Sequence, residues 1–221
     1  MTQQKLLILG ASGGCGQWAV ELAVTQGYLV TVLIRQNSQY TPPAGVKVIY
    51  GNILDPQTVK DAMSNQNAVI SCLGIKRKTP NNPWSALASP PDLATQSTKN
   101  IVDAMAFHGI KRLVVVSAAG VAESFKRLST AMKLIVKSSN IRKTFKDFKG
   151  MESILANSTI DSLSVRPVGL VEQQSVNQAT IVDYSSLTSQ ISKKDVAQWM
   201  LDAIARPAPF SSPTEMIGWQ K

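Results

Sequence analysis

Three glycines spaced three apart, Gly10, Gly13 and Gly16, follow directly on the apolar run Leu6–Leu9 in the stretch KLLILGASGGCGQW. Where a buried strand ends and a helix begins, the first helical N–H groups lack partners in the chain. The helix dipole also puts its positive end there, so a phosphate is well held. In this frame Gly10 makes the tight turn, Gly13 lets backbone approach a pyrophosphate, and Gly16 lets helix pack closely on strand. A turn that merely reverses the chain is the competing reading. The letters Gly14-x-Gly16-x-x-Ala19 also fit a dinucleotide fingerprint, but they begin four residues after the strand, and geometry rejects that frame.

A second candidate is Arg35, which ends the next apolar run, Tyr28–Ile34. A site built for a ribose 2′-hydroxyl carries Asp or Glu at this place. A carboxylate would repel a 2′-phosphate, whereas a guanidinium binds it through paired charge-assisted hydrogen bonds. The glycine turn and Arg35 together point to NADP(H), with a solvated surface arginine as the alternative. Other chemistry is sparse. One histidine, His108, argues against a His-based metal site, and Cys15 and Cys72 show no metal spacing. Both cysteines are expected as buried, reduced thiols, which suits a cytoplasmic protein. The start MTQQK precedes an apolar run of only four residues, so neither a signal peptide nor a spanning helix is expected.

These candidates need elements to position them. Strand-like runs at Leu6–Leu9, Tyr28–Ile34, Val46–Tyr50, Ala68–Cys72, Leu113–Ser117 and Ile160–Val165 alternate with helical patterns. The helices are expected at Gly14–Thr25, Pro56–Ser64, Asp92–Phe107 and about Ile141–Leu155, with a last one, Lys193–Ala205, capped by Ser192 and stopped before Pro207. Strands so continuously apolar are buried on both faces. The fold class is therefore α/β, a Rossmann-type doubly wound parallel sheet, with all 221 residues forming one domain. Two long connections, about 75–91 and 120–140, follow strands at their carboxyl ends, where such sheets bind ligands, and are expected as substrate-side insertions.

Gly10-Ala11-Ser12-Gly13-Gly14-Cys15-Gly16 has the GxxGxxG spacing of the atypical short-chain dehydrogenases/reductases, and the chain resembles their NmrA-like, NAD(P)H-binding branch. The resemblance runs through Gly51-Asn52-Ile53-Leu54-Asp55, Ser71-Cys72-Leu73-Gly74, Ile110-Lys111-Arg112-Leu113, Ser117-Ala118-Ala119-Gly120 and Val165-Arg166-Pro167. It covers about residues 5–170, and Ile191-Ser192-x-x-Asp195-Val196-Ala197 extends it. It implies cofactor contacts from Gly10, Ser12, Gly13, Gly14, Gly16, Arg35, Asn52, Leu73, Gly74, Lys149 and Pro167. Asn52 stands where the family often has an Asp near the adenine. Its amide suits the base edge, and a polar turn residue is the plain alternative.

The resemblance also implies a Ser, Tyr and Lys apparatus, in which Tyr protonates the substrate oxygen as hydride arrives and Lys holds the ribose. The matching segment reads Phe145-Lys146-Asp147-Phe148-Lys149, with Phe at the Tyr position and the Lys retained, and the Ser position falls on Ala118. Phenylalanine donates no proton, and Ile141, Phe145, Phe148, Met151 and Leu155 share one helical face, so Phe145 is expected to be packed. Lys149 reads as the ribose lysine or as a solvated one. Without the triad, hydride can still pass to a flavin or quinone that takes its proton from water.

The formal charge is +9. Lys126–Lys149 holds eight basic residues and one acid, Asp147, and Lys76, Arg77 and Lys78 add three more, so both groups flank the expected ligand mouth. The two readings are a solvated face and a funnel for the cofactor phosphates and an anionic small-molecule substrate. Trp84 either stacks on a planar substrate or pins its loop. Nucleic acid is a poor third partner, because no helix-turn-helix, finger or RNP pattern is present. The leading expectation is a cytoplasmic NADPH-dependent reductase with a planar acceptor, and the alternative is an NADP(H)-sensing regulator that docks a protein.

Overall fold

The computed structural model describes residues 3–173 and 178–220. The expected strands form close to their expected bounds, as β1 (Lys5–Leu9), β2 (Leu29–Ile34), β3 (Lys47–Tyr50), β4 (Ala68–Ser71), β5 (Arg112–Val116) and β6 (Asp161–Pro167). Between them lie α1 (Gly14–Thr25), α2 (Pro56–Ala62), α3 (Leu93–His108), α4 (Thr130–Ser138) and α5 (Ile141–Ala156). Short strands β7 (Gly169–Val171), β8 (Ala179–Ile181) and β9 (Gln190–Ser192) precede α6 (Lys193–Ala205), and β10 (Thr214–Trp219) follows it.

The main sheet runs β3-β2-β1-β4-β5-β6-β10-β8 and is parallel except for β8, which pairs antiparallel with β10. β7 and β9 form a separate parallel pair. Each strand sorts its side chains by the period of two. Leu6 and Ile8 join Val30, Val32, Ile70 and Val114 in a core under α1 and α6. Leu7 and Leu9 join Leu33, Val69, Leu113 and Val115 under α2, α3 and α5. Helices on both faces are what leave these strands apolar throughout.

The strand order reverses between β1 and β4, since the chain first builds outward through β2 and β3 and then returns to the other side. At such a point the two connections diverge and leave a crevice beyond the strands' carboxyl ends. Residues 120–140 are not an open connection. They form a 3₁₀ helix, Ala122–Arg127, and α4, whose start is capped by Ser129 Oγ accepting from the Met132 N–H at 3.3 Å. Residues 75–91 are also ordered, as a hairpin with an antiparallel bridge between Arg77 and Leu87.

Candidate functional site

The glycine turn lies in that crevice. Gly10 has φ +77° and packs so tightly on β4 that a methyl group there would sit 2.7 Å from the Cys72 carbonyl oxygen. Gly13 caps α1 with no side-chain hydrogen bond, its N–H donating to the Gly10 carbonyl at 2.9 Å. A methyl on Gly16 would run into the Gly10 carbonyl, so the third glycine lets helix approach turn. The N–H groups of Gly14, Cys15 and Gly16 meet no acceptor among the described residues. That leaves a row of free donors at the positive end of a twelve-residue helix.

A cleft of about 560 Å³ opens from this turn. Gly10, Ser12, Gly13, Arg35, Asn52, Leu73 and Gly74 all line it, alongside Leu33, Ile34, Gln36 and Gly51. Arg35 is exposed, and its guanidinium has no hydrogen-bond or ion-pair partner among the described residues. Asn52 makes a turn, its Oδ1 accepting from the Leu54 N–H at 3.0 Å, and its amide nitrogen meets no acceptor among the described residues. The far wall comes from the 75–91 hairpin, through Lys76, Ala88, Ser89 and Pro90. Thus part of the segment expected on the substrate side borders this cleft.

Gly14 and Gly16 do not line the cleft: Gly14 is exposed under the Lys193 side chain, and Gly16 is buried against Gly10. Pro167 lies beyond it, at the end of β6, where its carbonyl accepts from the Ala119 N–H at 2.9 Å. Lys149 is exposed and borders a second groove, about 650 Å³, with Glu123, Glu152, Ser164 and Arg166. The side chain that α5 turns toward Gly74 is Phe148, and one residue along a helix rotates by roughly 100°. Phe145 packs against Gly120 and Leu128, and Ala118 joins the same apolar cluster. Ser117 points into α5, its hydroxyl donating to Glu152 at 2.7 Å. No hydroxyl is therefore presented at Phe145 or Ala118.

Arg166, within the Val165-Arg166-Pro167 motif, is 4 % exposed and held by both carboxylates of the groove. Its Nε and Nη2 donate to Glu152 at 2.9 and 2.7 Å, and Nη1 pairs with Glu123. Burial opposes the Arg166 charge, but the hydrogen bonds to Glu152 and Glu123 outweigh it and raise its pKa. The hydrogen bond from Arg166 in turn holds the Glu123 carboxyl below the usual range. This ion network is internally satisfied.

Lys193 escaped the sequence reading. It comes from α6 and lies across Gly14, with its ammonium paired to Glu172. Burial pushes the Cys15 thiol up to about 11, while Lys193 pulls it down and Glu172 pushes it up, so both charges act on the first turn of α1. Only the distance in sequence hid the pairing. Trp84 is 57 % exposed, and its indole N–H donates to the Ser138 carbonyl at 3.1 Å. It pins the hairpin to α4. Among the described residues, no group of His, Cys, Asp and Glu could hold a metal ion, and no helix is long and apolar enough to cross a membrane.

A family model described as NAD(P)H-binding matches residues 10–207. The chain is 24 % identical over 212 residues to the photosystem II assembly factor Ycf39 of Synechocystis sp., covering 91 % of this chain and 60 % of that protein. It spans about three fifths of the length of several such curated relatives. Among solved structures, an anaerobillin reductase from Escherichia coli O157:H7 superposes with TM-score 0.76 at 23 % identity, covering 97 % and 96 % of the two chains. A short-chain dehydrogenase/reductase from Veillonella parvula, solved with NADP, gives TM-score 0.76 at 18 % identity, covering 97 % and 94 %.

Proposed function

Because the chain belongs to the NAD(P)H-binding family, we propose that it is a reductase that uses NADPH and hands hydride to a planar, anionic small acceptor, without the Ser-Tyr-Lys proton donor. The observation that carries this reading is one cleft lined by both the glycine turn and an unpaired Arg35. Free amides at the start of α1 suit a diphosphate, and the guanidinium suits a 2′-phosphate.

Bound nicotinamide supplies a hydride equivalent; the rest falls to the chain. Gly10, Ser12 and Gly13 bring backbone to the diphosphate, Arg35 selects the phosphorylated ribose, and Asn52 offers its amide to the base. Phe145 and Ala118, at the positions where the resemblance expects proton donors, carry no proton to give, so an acceptor takes its proton from water. That favours flavin- or quinone-like acceptors over simple carbonyls. The basic residues of the hairpin and of α4 and α5 draw in an anion. Two unpaired cysteines suit a reducing cytoplasm.

Steady-state NADPH oxidation across quinones, flavins and aldehydes tests the reading. Turnover within the roughly 1–10³ s⁻¹ typical of enzymes is expected on a quinone or flavin. Rates below about 10⁻³ s⁻¹ on every acceptor would overturn it. They would favour a second reading, an NADP(H)-sensing protein that docks a protein partner. The similarity to an assembly factor across 91 % of this chain supports that alternative.

A further inference from the structure

Lys193 is the first residue of α6, fixed there by Ser192, whose Oγ accepts from the Asp195 N–H at 2.9 Å. From that position its side chain runs over the amino end of a different helix. A methyl group on Gly14 would stand 2.5 Å from Lys193 Cδ and 2.8 Å from both Cε and Nζ. The lysine thus lies in the place that a side chain at position 14 would occupy. Its side chain is 24 % exposed, and its ammonium pairs with Glu172, which is 83 % exposed.

An ammonium beside a helix amino terminus puts two positive features together. Lys193 does not itself line the cleft, but it covers Gly14, the residue after the cleft-lining Gly13, and its charge reaches Cys15 in the same first turn, where the amides of Gly14, Cys15 and Gly16 have no acceptor among the described residues. Such an arrangement is complete only with an anion, and Glu172 supplies one that is nearly surrounded by water. An exposed carboxylate in an ion pair contributes little and is readily exchanged. The cofactor's diphosphate is the anion that belongs at this helix end.

We propose that Lys193 binds the diphosphate of NADP(H), and that Glu172 is the counter-ion it exchanges for the phosphate oxygens. This rests on the NAD(P)H-binding reading of the cleft. The diphosphate is common to NADPH and NADH, so Lys193 contributes to affinity for both, whereas Arg35 distinguishes them. It gives α6, distant in sequence from the glycine turn, a direct part in holding the nucleotide.

Calorimetric titration of the full chain with NADPH and with NADH, at two salt concentrations, is the test. Lys193→Ala should weaken both nucleotides by a common factor of roughly ten or more and flatten the salt dependence. Lys193→Arg should keep most of the affinity, and Glu172→Gln should tighten both. Lys193→Met keeps the aliphatic stem on Gly14 and substitutes if the alanine variant melts early. Unchanged affinities and salt slopes in Lys193→Ala or Lys193→Met, or a loss confined to NADPH, would overturn the inference while leaving the cofactor reading intact. A parent protein that titrates neither nucleotide would remove both.

Discussion

Asp147 and Thr95 clasp each other across the α3–α5 contact. The Asp147 carboxylate accepts from the N–H groups of Ala94 and Thr95, both at 2.8 Å, and the Thr95 hydroxyl donates to the Asp147 carbonyl at 2.9 Å. The one acid of the basic Lys126–Lys149 stretch is thus 3 % exposed and capping a neighbouring helix, so it makes no ion pair with the lysines and arginines around it. Gly150 lies one turn on, where a methyl would run into the Thr95 side chain.

Removing either half of this clasp should loosen the wall of the cleft to which Leu93 contributes. Asp147→Ala is expected to lower the unfolding free energy by about 1–2 kcal/mol through the lost cap. Gly150→Ala should cost about 1–3 kcal/mol through overpacking. Acting at one contact, the two should cost less together than their sum. Urea unfolding of the three variants reads this directly, and strict additivity would mean that the clasp is not a unit.

On the proposed reading, Arg35 is the residue that sets cofactor choice. Charge-assisted hydrogen bonds contribute roughly 1.5–3 kcal/mol each, so the parent should bind NADPH at least about tenfold more tightly than NADH. Arg35→Asp should abolish or reverse the preference, since a carboxylate repels the 2′-phosphate. Equal affinities in the parent, or an unchanged ratio in the variant, would make Arg35 an ordinary surface residue.

On the proposed reading, Phe145 and Ala118 stand at the positions of the missing proton donors. The double substitution Phe145→Tyr, Ala118→Ser should raise kcat/KM for aldehyde reduction, because general acid catalysis contributes about 10²–10⁴-fold where it is well placed. Quinone reduction, which needs no such donor, should change far less. An equal effect on both substrate classes would locate the hydride-transfer site elsewhere.

Alkali should destabilise the protein through its thiols. Burial raises Cys15 to about 11 and also raises Cys72, so both thiols hold their protons in the fold beyond the pH at which an unfolded chain releases them. Between the ordinary thiol value, about 9, and the raised one, the unfolded state binds fewer protons, so stability falls as pH rises. Melting temperature should decline from about pH 9 upward, and Cys15→Ala with Cys72→Ala should flatten the decline. Alkylation of Cys15 by iodoacetamide should be slow at pH 8.

The central strands were legible because burial on both faces writes them as unbroken apolar runs. β10, TEMIGW, was not, since Glu215 and Gly218 interrupt its pattern, and β7, β8 and β9 have only three residues each. α4 carried a readable signal in Ser129 and the apolar spacing that follows, but it was absorbed into a connection. At the site, glycine spacing identified the turn because the requirement is local. The direction of Lys149 was hidden because sequence gives a helix's period but not its rotation. Lys193 was hidden because tertiary packing alone brings it to Gly14.

The hairpin that walls the cleft is fastened outside it. Trp84 bonds the Ser138 carbonyl, and the Asn140 side-chain amide donates to the carbonyls of Trp84 and Ser85 at 3.0 and 3.1 Å. None of these four residues lines the cleft. On the proposed reading, the residence time of a nucleotide in the cleft should therefore depend partly on residues that never touch it. Trp84→Ala should speed nucleotide release in stopped-flow displacement while leaving the association rate near its parent value. A partner that gripped α4 would act on the same fastening and lengthen the stay.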